Sequence, residues 1–329
     1  MKYSVIIPSY NAAATLEPLL NSLKKQTLSD YEVIVVDDAS TDDTENLVAR
    51  YPVKYERLQR NAGPAIARNR GAELAKGEWF VFTDADTVFE PDTMQTIDEI
   101  LEGSDAAALC GSYSGNPANS GFMPRYKALW EQYAIDMTFQ TDERDLYVTN
   151  SWFPRPGVVS RAAYQAVGGF NARFRGADLE DMEFGYRLYE AGYRIYFTPH
   201  VHIKHHYPES FIDEQSRFLR RCVVWIRMAA RRKKLDMAGD GSPKLVKKHL
   251  CGFISFCLAV CSVFYHPLIA LALIGLALHT FLHRRFLALA FREEGFRFAA
   301  LSFATYWIHT VFAGIAGAYG LVTYLLGKR

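Results

Sequence analysis

The chain lacks paired cysteines. None of Cys110, Cys222, Cys251, Cys257 and Cys261 forms a Cys-x-x-Cys pair, so no metal pair of that kind is encoded. Three of the five lie inside an apolar tract, the pattern of buried free thiols in a reducing compartment. A secretory leader is not expected: the apolar stretch in MKYSVIIPSYN is far too short, and Pro8 closes it. Internal repeats and low-complexity segments are absent. Positive charge is scarce in the first two thirds, where residues 1–209 hold 20 Lys and Arg against 30 Asp and Glu. An acidic body of net charge −10 excludes nucleic acid as the expected partner. Charge of either sign is almost missing from residues 249–282.

What is present reads as an α/β domain. Tyr3 to Ile7 is an apolar strand ending in Pro8-Ser9-Tyr10-Asn11, and leucines 16, 19, 20 and 23 have helical spacing. Tyr31 to Val36 is a second strand, running into Asp37-Asp38-Ala39-Ser40-Thr41. A helix near 43–51, a strand near 53–57, a turn at Asn61-Ala62-Gly63-Pro64 and a helix at 65–75 follow. Strands alternating with helices of this length imply βαβ units and a parallel sheet. Residues 104–160 are less regular. Later come a strand and short helix in 158–170, a helix in 178–192 and a final strand at 193–197, followed by the histidine-rich PHVHIKHH.

Asp84 and Asp86 stand one residue apart just after the strand Trp79-Phe80-Val81-Phe82. Carboxylates at the carboxyl end of such a strand lie where open α/β sheets bind ligands. Oxygen ligands at that spacing suit a hard divalent cation that also grips phosphate.

Beyond residue 210 the balance inverts, with 17 basic against 6 acidic residues. Residues 211–235 interleave arginines with apolar residues, as a basic helix lying in a membrane interface does. The uncharged run 249–282 exceeds one span, and His266-Pro267 marks a turn between two; residues 299–326 form a third stretch. Gly314, Ala316, Gly317 and Gly320 would let helices pack closely. The basic residues at 231–248 and 284–285 mark a cytosolic side, although Lys328-Arg329 leaves the topology open.

In its order of motifs the chain resembles glycosyltransferase family 2, enzymes of the GT-A fold, from residue 1 to about residue 206. The motifs are YSVIIPSYN, EVIVVDDASTDDT, NAGPAIARNRG, FTDADTVFEPD, VSRAAYQAVGGFN and LEDMEFGYRLYEAGY. The resemblance implies a GT-A catalytic domain over 1–209, and the charge and hydropathy pattern adds a basic amphipathic interface helix and linker over 210–248 and two or three transmembrane helices over 249–329. The resemblance also implies a nucleotide-sugar pocket built by Pro8, Tyr10, Asp38, Arg68, Asp84 and Asp86, with Tyr10 stacking on the base. Arg70 competes with Arg68 for the donor phosphates, and Asp37 has an ordering role. Asp86, Asp84 and His205 would hold Mn²⁺ or Mg²⁺. Asp181 is the implied base, with Glu180 the alternative and Asp178 leaving the register open. Trp152 is either an acceptor platform or core.

The expected activity is inverting, metal-dependent transfer from a UDP- or GDP-linked sugar to a hydroxyl of a lipid-linked or other glycan acceptor of the cell envelope. The expected setting is a multi-pass protein of the inner cell membrane, its catalytic domain cytoplasmic and in contact with membrane lipid; association with further copies is left open. Two rivals share the fold. A polyprenyl-phosphate glycosyltransferase needs no base, against the Glu180-Asp181 pair. A polysaccharide synthase carries a Gln-x-x-Arg-Trp motif, which EQSRFLRRCVVW does not reproduce. A non-catalytic sugar-binding protein is the remaining class.

Overall fold

The computed structural model describes residues 1–138, 146–174, 176, 179–232 and 243–326. Two compact units emerge. The first comprises Met1–Asn119 with Phe139–Tyr207, and the second Ser120–Thr138 with Pro208–Arg329.

The first unit is a mixed nine-stranded sheet flanked by helices. Strands β1 (Tyr3–Ser9), β2 (Tyr31–Asp37), β3 (Lys54–Arg57) and β4 (Trp79–Phe82) run parallel, and the helices α1 (Ala13–Leu23), α2 (Thr44–Val48) and α3 (Pro64–Leu74) connect them. These are the βαβ units that the apolar alternation predicts. The helix α1 buries Leu16, Leu19, Leu20 and Leu23, each stabilising by roughly 1.5–3 kcal/mol. Pro64 sits at the first turn of α3, where a missing N–H costs nothing.

After β5 (Thr87–Phe89), α4 (Thr93–Glu102) and β6 (Ala108–Tyr113) come α5 (Phe122–Thr138), β7 (Tyr147–Thr149), β8 (Gly157–Ser160), α6 (Arg161–Ala166), α7 (Glu180–Glu190) and β9 (Ile195–His205). The sheet order is β3-β2-β1-β4-β8-β6-β9-β5, with β7 also on β9. The strand β8 is antiparallel to β4 and β6, and β5 is antiparallel to β9.

Two segments differ from the sequence reading. The last strand does not stop at 197: it runs for 11 residues, so most of PHVHIKHH belongs to β9 rather than to a loop. Val201 and Ile203 point into the core, whereas His200 and His202 face out, the period-two pattern that the histidines mask. Within the region read as irregular lies the 17-residue α5. Its Met123, Tyr126, Leu129, Trp130 and Tyr133 recur at helical spacing, but Pro124 and the glycines before it obscure the start.

The second unit joins α5 to α8 (Phe211–Arg232), α9 (Pro243–Cys261), α10 (Leu268–Leu282) and α11 (Arg284–Leu325). Gly295 breaks the helical path of α11. Its core is Met123, Tyr126, Leu129, Trp130, Tyr133 and Ala134 against Leu245, Phe286 and Tyr306. The expected turn around His266-Pro267 separates α9 from α10. Gly314 admits the ring of Phe253, and Gly320 admits Ile226 of α8, so both small residues do set helix contacts. The helix α8 therefore packs one face on α11, and Arg227 donates to Thr323 Oγ1 at 2.9 Å. By length and composition one helix among the described residues, α11, can cross a membrane, where two or three were expected; α10 is apolar but has 15 residues. Outward faces of the unit are apolar, with Val263 71% and Phe264 89% exposed at the α9–α10 turn.

Candidate active site

The parallel strands β1, β2 and β4 end on the same edge of the sheet, with Ser9 opposite Asp37 and Ile6 opposite Phe82. The edge is strained. Asn11 (φ 49°) follows β1, Ala39 (φ 62°) follows β2, and Leu179 (φ 70°) precedes α7, all in the left-handed region. Each such residue costs of order 1–3 kcal/mol and persists where surrounding structure holds it, as functional sites do.

The two aspartates after β2 have separate duties. Asp37 orders the loop: its Oδ1 accepts from Ser40 N at 2.8 Å, and its Oδ2 accepts from the Tyr55 hydroxyl at 2.7 Å. Asp38 accepts from Ala62 N at 2.7 Å and Gly63 N at 2.8 Å, tying β2 to the turn that opens α3. Gly63, at φ 92°, supplies a conformation a side chain would resist. Burial pushes the Asp38 carboxyl above its ordinary value, and those two backbone N–H groups oppose the rise. Tyr10, 51% exposed, leaves its ring open for a planar ligand, and Pro8 is half-buried at the end of β1. The clamp of Tyr55 on Asp37 went unseen in the sequence, where nothing distinguishes it from other strand tyrosines.

Arg68 is the node of the site. It is 3% exposed; Nη2 donates to Asp84 Oδ1 at 2.8 Å and Nη1 donates to Glu180 Oε1 at 2.6 Å. Burial alone would weaken its charge, but Asp84, Glu180 and Asp181 together hold it protonated, above its ordinary value. Arg70 instead pairs with Glu56 and Glu73 on the outer face of α3, which removes it as the competitor. Burial raises the Asp84 carboxyl, a rise that Arg68 opposes and Asp86 reinforces.

Asp86 reaches the end of β9 in two ways. Its carbonyl accepts from His206 N at 2.8 Å, and its Oδ1 lies 3.4 Å from His205 Nε2. Sheet register delivers this histidine, since Thr87 pairs with His205 across β5 and β9. Tyr113 and Tyr207 flank its ring, both with centroids 4.5 Å away. The buried Nδ1 of His205 has no hydrogen-bond partner. Burial lowers the neighbouring His206 imidazole below its ordinary value. Among the described residues no three His, Cys, Asp or Glu side chains form a ready-made metal set. Carboxylates suit a cation that completes its shell with phosphate oxygens and water, as Mg²⁺ does, and an imidazole is a ligand that Mn²⁺ also accepts.

Glu180 and Asp181 open α7 with different surroundings. Glu180 is buried against Arg68, so its carboxylate is spent on that pair. Asp181 is half-buried, accepts from Met182 N at 2.8 Å, and acts electrostatically on Arg68. Asp178 lies outside the described residues. Trp152 is core: it is fully buried, donates Nε1–H to Val158 O at 3.0 Å, and packs on Phe82, Phe170 and Phe184.

Comparison with known proteins agrees with this architecture. The profile "Glycosyl transferase family 2" matches residues 4–158. An uncharacterised glycosyltransferase of Haemophilus influenzae is 41% identical over 103 residues, 30% of this chain and 34% of its own length. The validoxylamine A glucosyltransferase of Streptomyces hygroscopicus subsp. jinggangensis is 33% identical over 220 residues, 57% of this chain and 51% of that protein. The chain thus spans between about a third and a half of the length of these relatives. Among solved structures, the mannosyltransferase PcManGT of Pyrobaculum calidifontis, in complex with GDP-Man and Mn²⁺, superposes with a TM-score of 0.61 at 21% identity; the match covers 100% of this chain and 88% of that one. This likeness carries the fold, GT-A, a mixed sheet with flanking helices. The likeness to glycosyltransferase family 2 is thus carried by residues 4–158, the segment that the family model matches.

Proposed function

We propose that the chain transfers a sugar from a UDP- or GDP-linked donor to a hydroxyl of a lipid-linked glycan at the cytosolic face of a membrane, with inversion. One observation carries the reading: buried Arg68 joins the D-x-D aspartate Asp84 to the first turn of α7, where Asp181 stands. Donor-side and acceptor-side groups therefore meet at a single side chain. Relatives support the donor class, being a glucosyltransferase by name and a mannosyltransferase solved with GDP-Man and Mn²⁺.

In this reading Tyr10 and the Asp38 loop receive the nucleoside, while the Arg68 guanidinium and the edge of α3 face its phosphates. Asp86, Asp84 and His205 would hold Mn²⁺ or Mg²⁺. When bound, that cation supplies Lewis-acid stabilisation of the departing diphosphate. Asp181 accepts the proton of the acceptor hydroxyl as its oxygen attacks the anomeric carbon, and the bond from that carbon to the diphosphate breaks on the opposite face.

The second unit supplies the membrane anchorage: α11 crosses, the apolar α9–α10 hairpin embeds beside it, and basic α8 meets anionic headgroups. The covalent link keeps the catalytic unit within reach of lipid-borne acceptors. Isothermal titration with UDP- and GDP-sugars, with and without Mn²⁺, tests the donor; Mn²⁺-dependent binding is expected. Asp181→Asn should keep that binding and lose transfer by about 10²–10⁴-fold. Near-normal transfer by this variant would end the base assignment.

A further inference from the structure

The stretch VSRAAYQAVGGFN has no part in the reaction as described so far. It includes the loop 167–170, which follows α6 and is gripped from two helices. Asn69 of α3 takes both polar groups of the Phe170 backbone: Phe170 N donates to Asn69 Oδ1 at 2.8 Å, and Asn69 Nδ2 donates to Phe170 O at 2.8 Å. From α7, Arg187 donates through Nη1 to Val167 O at 2.5 Å and through Nη2 to Gly169 O at 2.7 Å. Glu183 holds that arginine at 2.9 Å. Gly169, at φ 68°, permits the close approach, since a Cβ there would lie 2.7 Å from the Tyr164 hydroxyl and 2.9 Å from Asn69 Oδ1.

The clamp fixes one buried ring against three walls of the site. The Phe170 centroid lies 4.5 Å from that of Phe184 on α7 and 5.1 Å from that of Phe82, the last residue of β4. The guanidinium carbon of Arg68 stands 5.4 Å from the same centroid, within the range where an aromatic face attracts a cation. Nε of Arg68 has no hydrogen-bond partner, and the ring adds to the two carboxylates that hold its other nitrogens. Phe170 thus touches α3, which carries Arg68, α7, which carries Asp181, and the strand that leads into Asp84 and Asp86. A close-packed interior yields little, so a shift of one wall is passed to the others.

We propose that Asn69 and Phe170 are positioning residues, which set the spacing between the donor-side groups on α3 and β4 and the acceptor-side Asp181 on α7. They act through Arg68 and α7 rather than on the substrate. Without the Asn69 amide, the Phe170 backbone loses both partners, and the ring its fixed seat beside Arg68. Transfer is sensitive to such spacing, since a misplacement of about 1 Å can cost about 10²-fold. A nucleotide held at Arg68 therefore steadies α7 as well as α3. This inference rests on the donor reading above and adds that the two sides of the site are set as one body.

The test follows the full chain by hydrogen exchange and mass spectrometry, with Mn²⁺ and with UDP or GDP as the probe. In the wild type, the bound nucleotide should slow exchange in α3 and in the first turns of α7. Asn69→Ala is expected to keep the nucleotide affinity and the α3 response, because Arg68 keeps both carboxylates, and to lose the α7 response. A mere loss of stability would leave that response in place among the folded molecules. Where the wild type turns over UDP-glucose or GDP-mannose, the variant's kcat should fall by ~10-fold or more at little-changed KM. An unchanged α7 response, or a wild-type kcat, overturns the proposal. Should Asn69→Ala fail to fold, Phe170→Leu keeps a buried apolar side chain and both Asn69 bonds, and is expected to lose the same response; its persistence overturns the proposal equally. Binding of neither nucleotide by the wild type would overturn the donor reading and this inference with it. Binding with an α7 response that survives in the variants would overturn this inference alone.

Discussion

Glu180 and Asp181 are sequence neighbours whose substitution should have opposite signatures. Glu180 faces Arg68 inside the protein, and Glu180→Gln leaves that guanidinium with Asp84 as its remaining bonded carboxylate. The cost is about 2–3 kcal/mol of stability, visible as a lowered thermal midpoint in the absence of nucleotide. Asp181 is half-buried, and Asp181→Asn should leave that midpoint within ~0.5 kcal/mol of wild type while removing transfer. If Glu180→Gln melts like wild type, the buried pair is not the structural node described above. The sequence offered Glu180 and Asp181 as alternatives for one role. Their division appears only once α7 is packed, because Leu179 adopts φ 70° and turns the first helical residue inward.

At the scale of elements, α3 is held against β1 through a residue with no side chain. A Cβ on Gly71 would lie 2.3 Å from Ile6 Cγ2, so the helix rests directly on the strand. Arg68 is on the same helix, less than one turn away. Gly71→Leu should therefore cost about 1–3 kcal/mol by overpacking and also weaken nucleotide binding, since α3 must lift with Arg68. Calorimetric titration of the nucleotide checks this, and unchanged affinity in a destabilised variant would separate the two effects. The parallel strands and their helices were legible because apolar runs and turn residues alternate cleanly up to Phe82. The length of β9 was not, because its outward positions carry histidines that resemble a polar loop. Nor was α5, whose buried face is aromatic and whose partners, Leu245, Phe286 and Tyr306, lie more than a hundred residues downstream. The same distance hid the site's central contact: Arg68 and Glu180 each read as an ordinary helix charge until the fold brings them together.

For the whole molecule, the five cysteines report on both units at once. Burial pushes the Cys110 thiol up to about 12, so it stays protonated and unreactive in the folded chain. Cys257 and Cys261 lie exposed on α9, on the face assigned to lipid. In membranes at neutral pH, a charged maleimide should spare all three, Cys110 because it is buried in protein and Cys257 and Cys261 because lipid covers them, read cysteine by cysteine by peptide mass spectrometry. Labelling of Cys257 by the charged reagent would place α9 in water. The buried arginine also bears on how the chain assembles. Arg68 and Glu180 are 112 residues apart, so their ion pair closes only when α7 docks beside α3. Until then a guanidinium destined for the interior waits without its second counter-charge. The fold thus has a late checkpoint: a chain in which α7 docks wrongly keeps a stranded charge, and the step that completes the native structure also makes the site competent.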